Sequence, residues 1–242
     1  MKKFLPVLTL ALCALLTPAR AQVTPFSDGV NAAVGGIGAF SGYAYFFKGN
    51  EYLKYNWAKD AVEPGYPQPI AGNWKGFPAT FADGVDAAVN GQGAFTGFGY
   101  FFRGNEYLKY NWAKDQVDPG YPKPIAGNWK GLPRSFSGGI DAAVNGRGSF
   151  AGSVYLFKGN QYVRYSWAKD RVEPGYPQPI ARYWKGLPAN FGNGIDEAVN
   201  GEGAYSAYAY LFKGNQYARY SWSKDRMDGG YPQPIAGNWK GF

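Results

Sequence analysis

The tryptophans constrain the fold more than any other feature. Trp57, Trp112, Trp167 and Trp222 stand 55 residues apart, as do Trp74, Trp129, Trp184 and Trp239. These eight are all the tryptophans in the 242 residues. Asn31, Asp86, Asp141 and Asp196 keep the same interval, and so do Gly49, Gly104, Gly159 and Gly214. No insertion or deletion breaks the register from Phe26 to Phe242. Such a chain is one structural unit written four times, and each unit has to bury its apolar faces against a neighbour.

Within a copy the pattern is that of strands. In the second copy, Val85 to Val89 is a short run bounded by Gly84 and Asn90-Gly91. Phe98 to Arg103 and Glu106 to Trp112 are longer aromatic runs, separated by Gly104-Asn105, a two-residue hairpin signal. Pro119-Gly120-Tyr121-Pro122 is a turn. Prolines 122, 124 and 133 confine the last segment of the copy to an outer edge or a single helical turn. No segment sustains a period of 3.6, so helices are minor.

Closure into a ring is reached by elimination. Independent beads of 55 residues without a disulfide or metal are marginal, and no flexible linker separates the copies. An open solenoid needs distinct polar caps, whereas the first and last copies resemble the middle two. A ring gives every copy two equivalent neighbours. The fold class expected is therefore all-β, a four-bladed β-propeller with one blade per repeat: 26–80, 81–135, 136–190 and 191–242. The seam between first and last blades should then close by packing, with Phe242 and Trp239 lying near Phe26.

The first 21 residues read as a leader. Lys2 and Lys3 precede an apolar run from Phe4 to Leu16, and Ala19-Arg20-Ala21 offers a cut before Gln22. A run of this length falls short of the ~20 residues that span a bilayer. The expectation is a secreted protein, extracellular or periplasmic, with residues 22–242 as the propeller and no membrane span. Removing Lys2, Lys3 and Arg20 lowers the net charge from +8 to +5 and takes away Cys13, the only cysteine. Stability must then come from packing rather than disulfides.

Inventory and symmetry exclude several functions. There is no histidine, which removes the usual zinc sites, Ser-His and Cys-His nucleophiles and histidine haem ligation. Sixteen basic residues sit at four repeated positions, those of Lys48, Lys54, Lys59 and Lys75. Charge spread with fourfold symmetry is a solvated surface and not a nucleic-acid patch. The repeated aromatics read as packing between blades, and the glycine-rich stretches as turns.

The pattern Asp141-Ala142-Ala143-Val144, Tyr155-Leu156-Phe157-Lys158-Gly159, Tyr162-Val163-Arg164-Tyr165, Gly175-Tyr176-Pro177, Ile180, Trp184 and Gly186-Leu187-Pro188 resembles the hemopexin-like repeat. The resemblance implies a propeller whose first strands line a central channel holding an ion, often calcium, on backbone carbonyls. Carried over, the ligands are the carbonyls of Asn31, Asp86, Asp141 and Asp196, with Ala33, Ala88, Ala143 and Ala198 behind them. The alternative is that these acidic side chains only cap strand ends. Asn31 departs from the acidic pattern in the first blade, and Glu197 replaces an alanine in the fourth.

Specific function should sit where the copies differ. Arg182-Tyr183 replaces the Gly-Asn of the other blades, and Ile37, Gln92, Arg147 and Glu202 share one repeat position. Arg182, Tyr183, Arg147, Glu197 and Glu202 are therefore the ligand-binding candidates. The reading is a non-enzymatic, monomeric recognition protein for a protein, glycan or small ligand, with no catalytic residues. The rival is a haem or porphyrin scavenger using tyrosine or Met227, a role that the lack of histidine disfavours.

Overall fold

The computed structural model describes residues 25–242; the expected leader and Cys13 lie outside them. Four five-stranded antiparallel sheets follow one another along the chain. The first blade comprises β1 (Ala32–Gly35), β2 (Tyr43–Lys48), β3 (Glu51–Asn56), β4 (Ala61–Val62) and β5 (Gln68–Pro69). The second runs β6 (Ala87–Asn90), β7 (Phe98–Arg103), β8 (Glu106–Asn111), β9 (Gln116–Val117) and β10 (Lys123–Pro124). The third runs β11 (Ala142–Asn145), β12 (Ser153–Lys158), β13 (Gln161–Ser166), β14 (Arg171–Val172) and β15 (Gln178–Pro179). The fourth runs β16 (Glu197–Asn200), β17 (Tyr208–Lys213), β18 (Gln216–Ser221), β19 (Arg226–Met227) and β20 (Gln233–Pro234). In each, the third strand carries both short outer strands on its far edge.

The hairpin between second and third strands forms because Gly49, Gly104, Gly159 and Gly214 hold φ near +53° (53, 52, 54 and 54°), a conformation cheap only for glycine. Five short 3-10 turns and four single-turn α-helices complete the secondary structure of the described residues, the latter being α1 (Ala79–Ala82), α2 (Arg134–Ser137), α3 (Ile180–Tyr183) and α4 (Ala189–Gly192). Three of them, α1, α2 and α4, come directly after Pro78, Pro133 and Pro188, where the sequence allows one helical turn.

The innermost strands close the ring. β1 lies against β6 and β16, and β11 lies against the same two. Successive side chains along an innermost strand face opposite neighbours: Ala32 and Val34 join the core shared with the second blade, Ala33 the core shared with the fourth. Alanine suits this crowding, and Ala32, Ala33, Ala87, Ala88, Ala142, Ala143 and Ala198 are all buried.

Between blades the core is aromatic. Trp129 of the second blade sits 5.1 Å from Tyr165 and 5.8 Å from Trp167 of the third, ring centre to ring centre. Trp74 and Trp184 make the corresponding contacts with Tyr110 and Tyr220 at 5.2 and 4.8 Å. A backbone bond fastens each joint: the Lys75, Lys130 and Lys185 carbonyls accept from Val117, Val172 and Met227 at 2.9–3.0 Å.

The seam repeats this joint without a peptide link. Trp239 lies 5.1 Å from Tyr55 and 5.4 Å from Phe46 of the first blade, and Phe242 lies 6.2 Å from Phe26. The Lys240 carbonyl accepts from Val62 N–H at 3.0 Å. Truncating an aromatic in such a core costs about 3–5 kcal/mol. Because no covalent bond holds the seam, Trp239→Ala should lose more stability in urea than Trp129→Ala. Equal losses would show that the seam is no weaker than an interior joint.

Candidate functional site

Hydrogen-bond parity decides what the channel wall offers. Gly36 N–H bonds Tyr43 O, and β1 pairs with β2 so that Ala32 faces Phe47 and Val34 faces Tyr45. In an antiparallel ladder alternate residues bond the partner strand, so Ala32, Val34 and Gly36 point their backbone groups at β2. The carbonyls of Ala33 and Gly35 then point the other way, to the ring interior, whereas Asn31 precedes the regular ladder and its N–H bonds Phe47 O at 2.8 Å. The second blade has the same parity, with Gly91 N–H on Phe98 O, which turns the Ala88 and Asn90 carbonyls inward, while Asp86 departs from the alternation with its N–H on Phe102 O.

The acidic side chains do something else. Asp86 accepts from Gly104 N–H at 2.7 Å and from Arg103 at 2.6 Å. Asp141 does the same with Gly159 and Lys158, and Asp196 with Gly214 and Lys213. Asn31 accepts from Gly49 N–H at 3.0 Å but has no cation to pair with, and Lys48 instead reaches the Pro25 carbonyl. These side chains cap the adjacent hairpins. Among the described residues no cluster of three or more Asp, Glu, His or Cys side chains is placed to hold a metal. What remains for a cation is a set of backbone oxygens, a donor type that suits a hard ion.

At the other end of the innermost strands an asparagine latch joins neighbouring blades. Asn90 donates to Gly35 O, Asn145 to Asn90 O and Asn200 to Asn145 O, at 2.7–2.8 Å. The same amides accept from Trp112, Trp167 and Trp222 Nε1, each at 2.8 Å. Gly35 occupies this position in the first blade, so the latch stops at the seam. Trp57 Nε1, the counterpart of these donors in the first blade, is buried without a partner. Glu202 takes the space: its Oε1 lies 2.9 Å from where a Cβ on Gly35 would stand, and its Oε2 accepts from Gly42 N–H at 2.9 Å.

The sequence candidates therefore fall at three places. Arg147 and Glu202, with Gln92, line a cavity of about 130 Å3 at the channel mouth. Each reaches the following blade, Arg147 donating to Ser206 O at 2.6 Å and Gln92 accepting from Gly152 N–H at 3.1 Å. Burial pulls the Arg147 guanidinium below the usual arginine value, opposed by Glu202. Burial likewise raises the Glu202 carboxyl, opposed by the Gly42 amide and Arg147.

Arg182 and Tyr183 sit apart from these, on the outer rim. The other blades place Gly72, Gly127 and Gly237 here at φ of 79–81°, which arginine resists, and the third blade forms α3 instead. Tyr183 replaces Asn73, Asn128 and Asn238, which bond back to the Pro69, Pro124 and Pro234 carbonyls. Tyr183 is 40% exposed, with the Arg182 guanidinium 5.4 Å from its ring centre, and it lines a lateral cleft of about 160 Å3 with Tyr162 and Trp184. Similar clefts, without these two residues, open between the other blades.

Glu197 is at neither place. It occupies the Ala32 position in the fourth blade, faces the seam beside Ala33, and is 0% exposed with no hydrogen-bond partner for either carboxylate oxygen. Burial pushes its carboxyl well above the ordinary range, opposed by the Ala198 and Ala33 backbone and assisted by Asp196. Gly35 and Trp57 were not singled out by the sequence, although comparing Gly35 with Asn90, Asn145 and Asn200 exposes the missing latch.

Four tandem sheets around one axis, with small residues innermost and tryptophans between blades, define a four-bladed β-propeller. The Hemopexin family model matches residues 38–79, 85–134, 140–189 and 205–242, and the chain belongs to that family. Matrix metalloproteinase-21 of Xenopus laevis is 28% identical over 75% of this chain and 30% of its own length. Human vitronectin is 34% identical over 66% of this chain and 30% of its own. The chain thus spans about three-tenths of these curated relatives. Among solved structures, the hemopexin fold protein CP4 from cow pea superposes with a TM-score of 0.72 at 25% identity, covering 87% of this chain and 95% of that one. A plant albumin from Cicer arietinum, described as showing hemagglutination, gives a TM-score of 0.70 at 25% identity, covering 87% of this chain and 95% of its own.

A carboxyl raised in the fold holds its proton longer than in the unfolded chain. Its contribution is therefore most favourable below 4.5 and declines as pH climbs toward the folded value. Glu197→Ala, which restores the residue of the other blades, should flatten this decline and stabilise the protein at pH 7 by about 1–3 kcal/mol. Urea unfolding of both proteins across about pH 4–9 measures it. A parallel pH dependence in the two would mean that Glu197 is not the group responsible.

Proposed function

We propose that this chain is a secreted, non-enzymatic recognition module that carries one hard cation, calcium foremost, on its axis. The inward parity of the Ala33, Ala88, Ala143 and Ala198 carbonyls carries the reading, and the carbonyls of Asn31, Asp86, Asp141 and Asp196, at the entrances of the same strands, supply the second tier. Two tiers of oxygen on four converging strands match the coordination of a flexible oxygen-liking ion. Asp86, Asp141 and Asp196 are each paired with a basic side chain, so the oxygens that serve the ion are those of the backbone. The ion fastens four strands that have no backbone ladder to one another.

Recognition rather than catalysis is supported by how the carboxylates are used. Asp60, Asp115, Asp170 and Asp225 accept from the tyrosines five residues before them, and Lys130 and Lys185 pair across blades with Asp170 and Asp225. Glu63, Glu173 and Asp228 pair with lysines four residues earlier. The chain contains no histidine to act as a base. The relatives include a protein described by hemagglutination, which favours a protein or glycan partner over a substrate. Secretion is supported by the leader-like residues 1–21.

A ligand that binds only the folded state at 100 times its Kd adds ~2.7 kcal/mol, and a domain of this size gains ~2–4 °C per kcal/mol. Chelator treatment should therefore lower the Tm by roughly 5–10 °C, and calcium should restore it. A melting curve unmoved in both directions counts against the axial ion. With no histidine, haemin titration should produce no sharp low-spin Soret band, and sub-micromolar binding with such a band would revive the scavenging reading.

A further inference from the structure

The mouth opposite the acidic positions is where the fourfold symmetry fails most completely. The latch that fills this mouth in three quadrants is missing in the fourth, because Gly35 has no side chain. At this repeat position Trp57, 5% exposed, alone keeps an Nε1–H without a partner, although Trp74 at the other tryptophan position of the same blade does so too. Trp112, Trp167 and Trp222 spend the same donor on an amide that lines the mouth. A buried donor left over in this way costs stability unless something completes it.

Two opposite charges flank the gap. Arg147 from the third blade and Glu202 from the fourth both line the cavity, and each is held by a single hydrogen bond to the next blade's loop. They influence each other's protonation, yet no ion pair joins them among the described residues. Two desolvated charges of opposite sign, kept apart by separate backbone anchors, form an open pair. Gln92 adds a neutral amide on the far side. At about 130 Å3 the cavity is below the ~300–1,000 Å3 of pockets for drug-sized ligands.

We propose that this mouth binds a small zwitterion, its carboxylate taken by Arg147 and its ammonium by Glu202, with a free α-amino acid as the simplest such ligand. Bonds with both partners charged are the strong ones, and the guanidinium's planar fork matches a carboxylate. The site is independent of the axial cation, which the acidic end of the strands would hold, so it can be tested with chelator or with calcium present.

The test is calorimetric titration of the full chain with L-serine and L-alanine, with propionate and ethylamine as single-charge controls. The expected result is saturable binding of the amino acids, with both controls at least tenfold weaker. Arg147→Gln and Glu202→Gln should each weaken binding tenfold or more while the far-ultraviolet spectrum stays that of the native ring. Gly35→Asn restores the latch residue of the other blades, and its Cβ displaces Glu202 Oε1; it should abolish binding and leave the fold intact, and it decides the matter if either charge variant fails to fold. No binding of either amino acid at millimolar concentration would overturn the proposal. So would equal affinity for the single-charge controls, or wild-type affinity in folded Gly35→Asn.

Discussion

Every blade depends on a tryptophan supplied by the blade before it. A 55-residue sheet with apolar groups on both faces cannot shield itself, and the ring answers this by inserting Trp74, Trp129, Trp184 and Trp239 into the following blade's tyrosine and tryptophan pair. Burial of such rings, at ~25 cal/mol per Å2 of apolar surface, is non-directional, but the ring edges are not. The near-perpendicular contacts across joints, such as Phe47 with Phe101 at 86° and Phe46 with Phe212 at 76°, fix how far one blade turns from the next. With that angle fixed four times, the ring closes, and the innermost strands have no choice but to converge.

Convergence explains the polar chemistry of the channel. Strands that meet on an axis at an angle cannot form a ladder with one another, so their inner backbone edges are left to other partners. Two kinds of partner serve the two ends. At the acidic end the aspartates brace the hairpins, accepting from Gly104, Gly159 and Gly214 N–H. At the other end the Asn90, Asn145 and Asn200 amides spend one hydrogen bond on a neighbour's carbonyl and another on their own blade's tryptophan. The latch thereby ties the channel wall to the aromatic layer.

Most of this architecture was legible because a repeat prints the same physical demand four times. The 55-residue interval gave the blade number, Gly104-Asn105 gave the hairpin, and Pro124 and Pro133 marked an outer edge and a single helical turn. The acidic positions were legible as a set, but not the direction of their side chains, which depends on where Gly104 N–H and Arg103 come to rest in the folded hairpin. The first strand of the second blade was expected from Val85 and begins at Ala87, because Asp86 N–H bonds Phe102 O outside the regular register. Of the variant positions, sequence grouped Arg147, Glu202, Arg182, Tyr183 and Glu197 together, and the fold separates them. No pattern along a chain reports which end of a strand is near which neighbour.

The departures from symmetry are not scattered evenly. Gly35, Glu197 and Glu202 all fall on the junction of the fourth blade with the first, the one joint that the chain does not bridge covalently. Two of them place carboxyls in surroundings that disfavour charge, and the third removes a latch that the other joints keep. Were the ring only a scaffold, its weakest joint would be the last place to accumulate costs of this kind. The aromatic contacts there are as full as elsewhere, with Phe242 4.9 Å from Phe46 and Trp239 5.1 Å from Tyr55. The packing that closes the ring is thus kept apart from the polar layer beside the axis, and this separation lets the polar layer vary. The outer part of the seam holds the blades together, while the inner part is free to carry unpaired donors and charges. A repeat protein acquires a single site in this way: by losing one copy of a repeated bond where the surrounding core is strong enough to tolerate the loss.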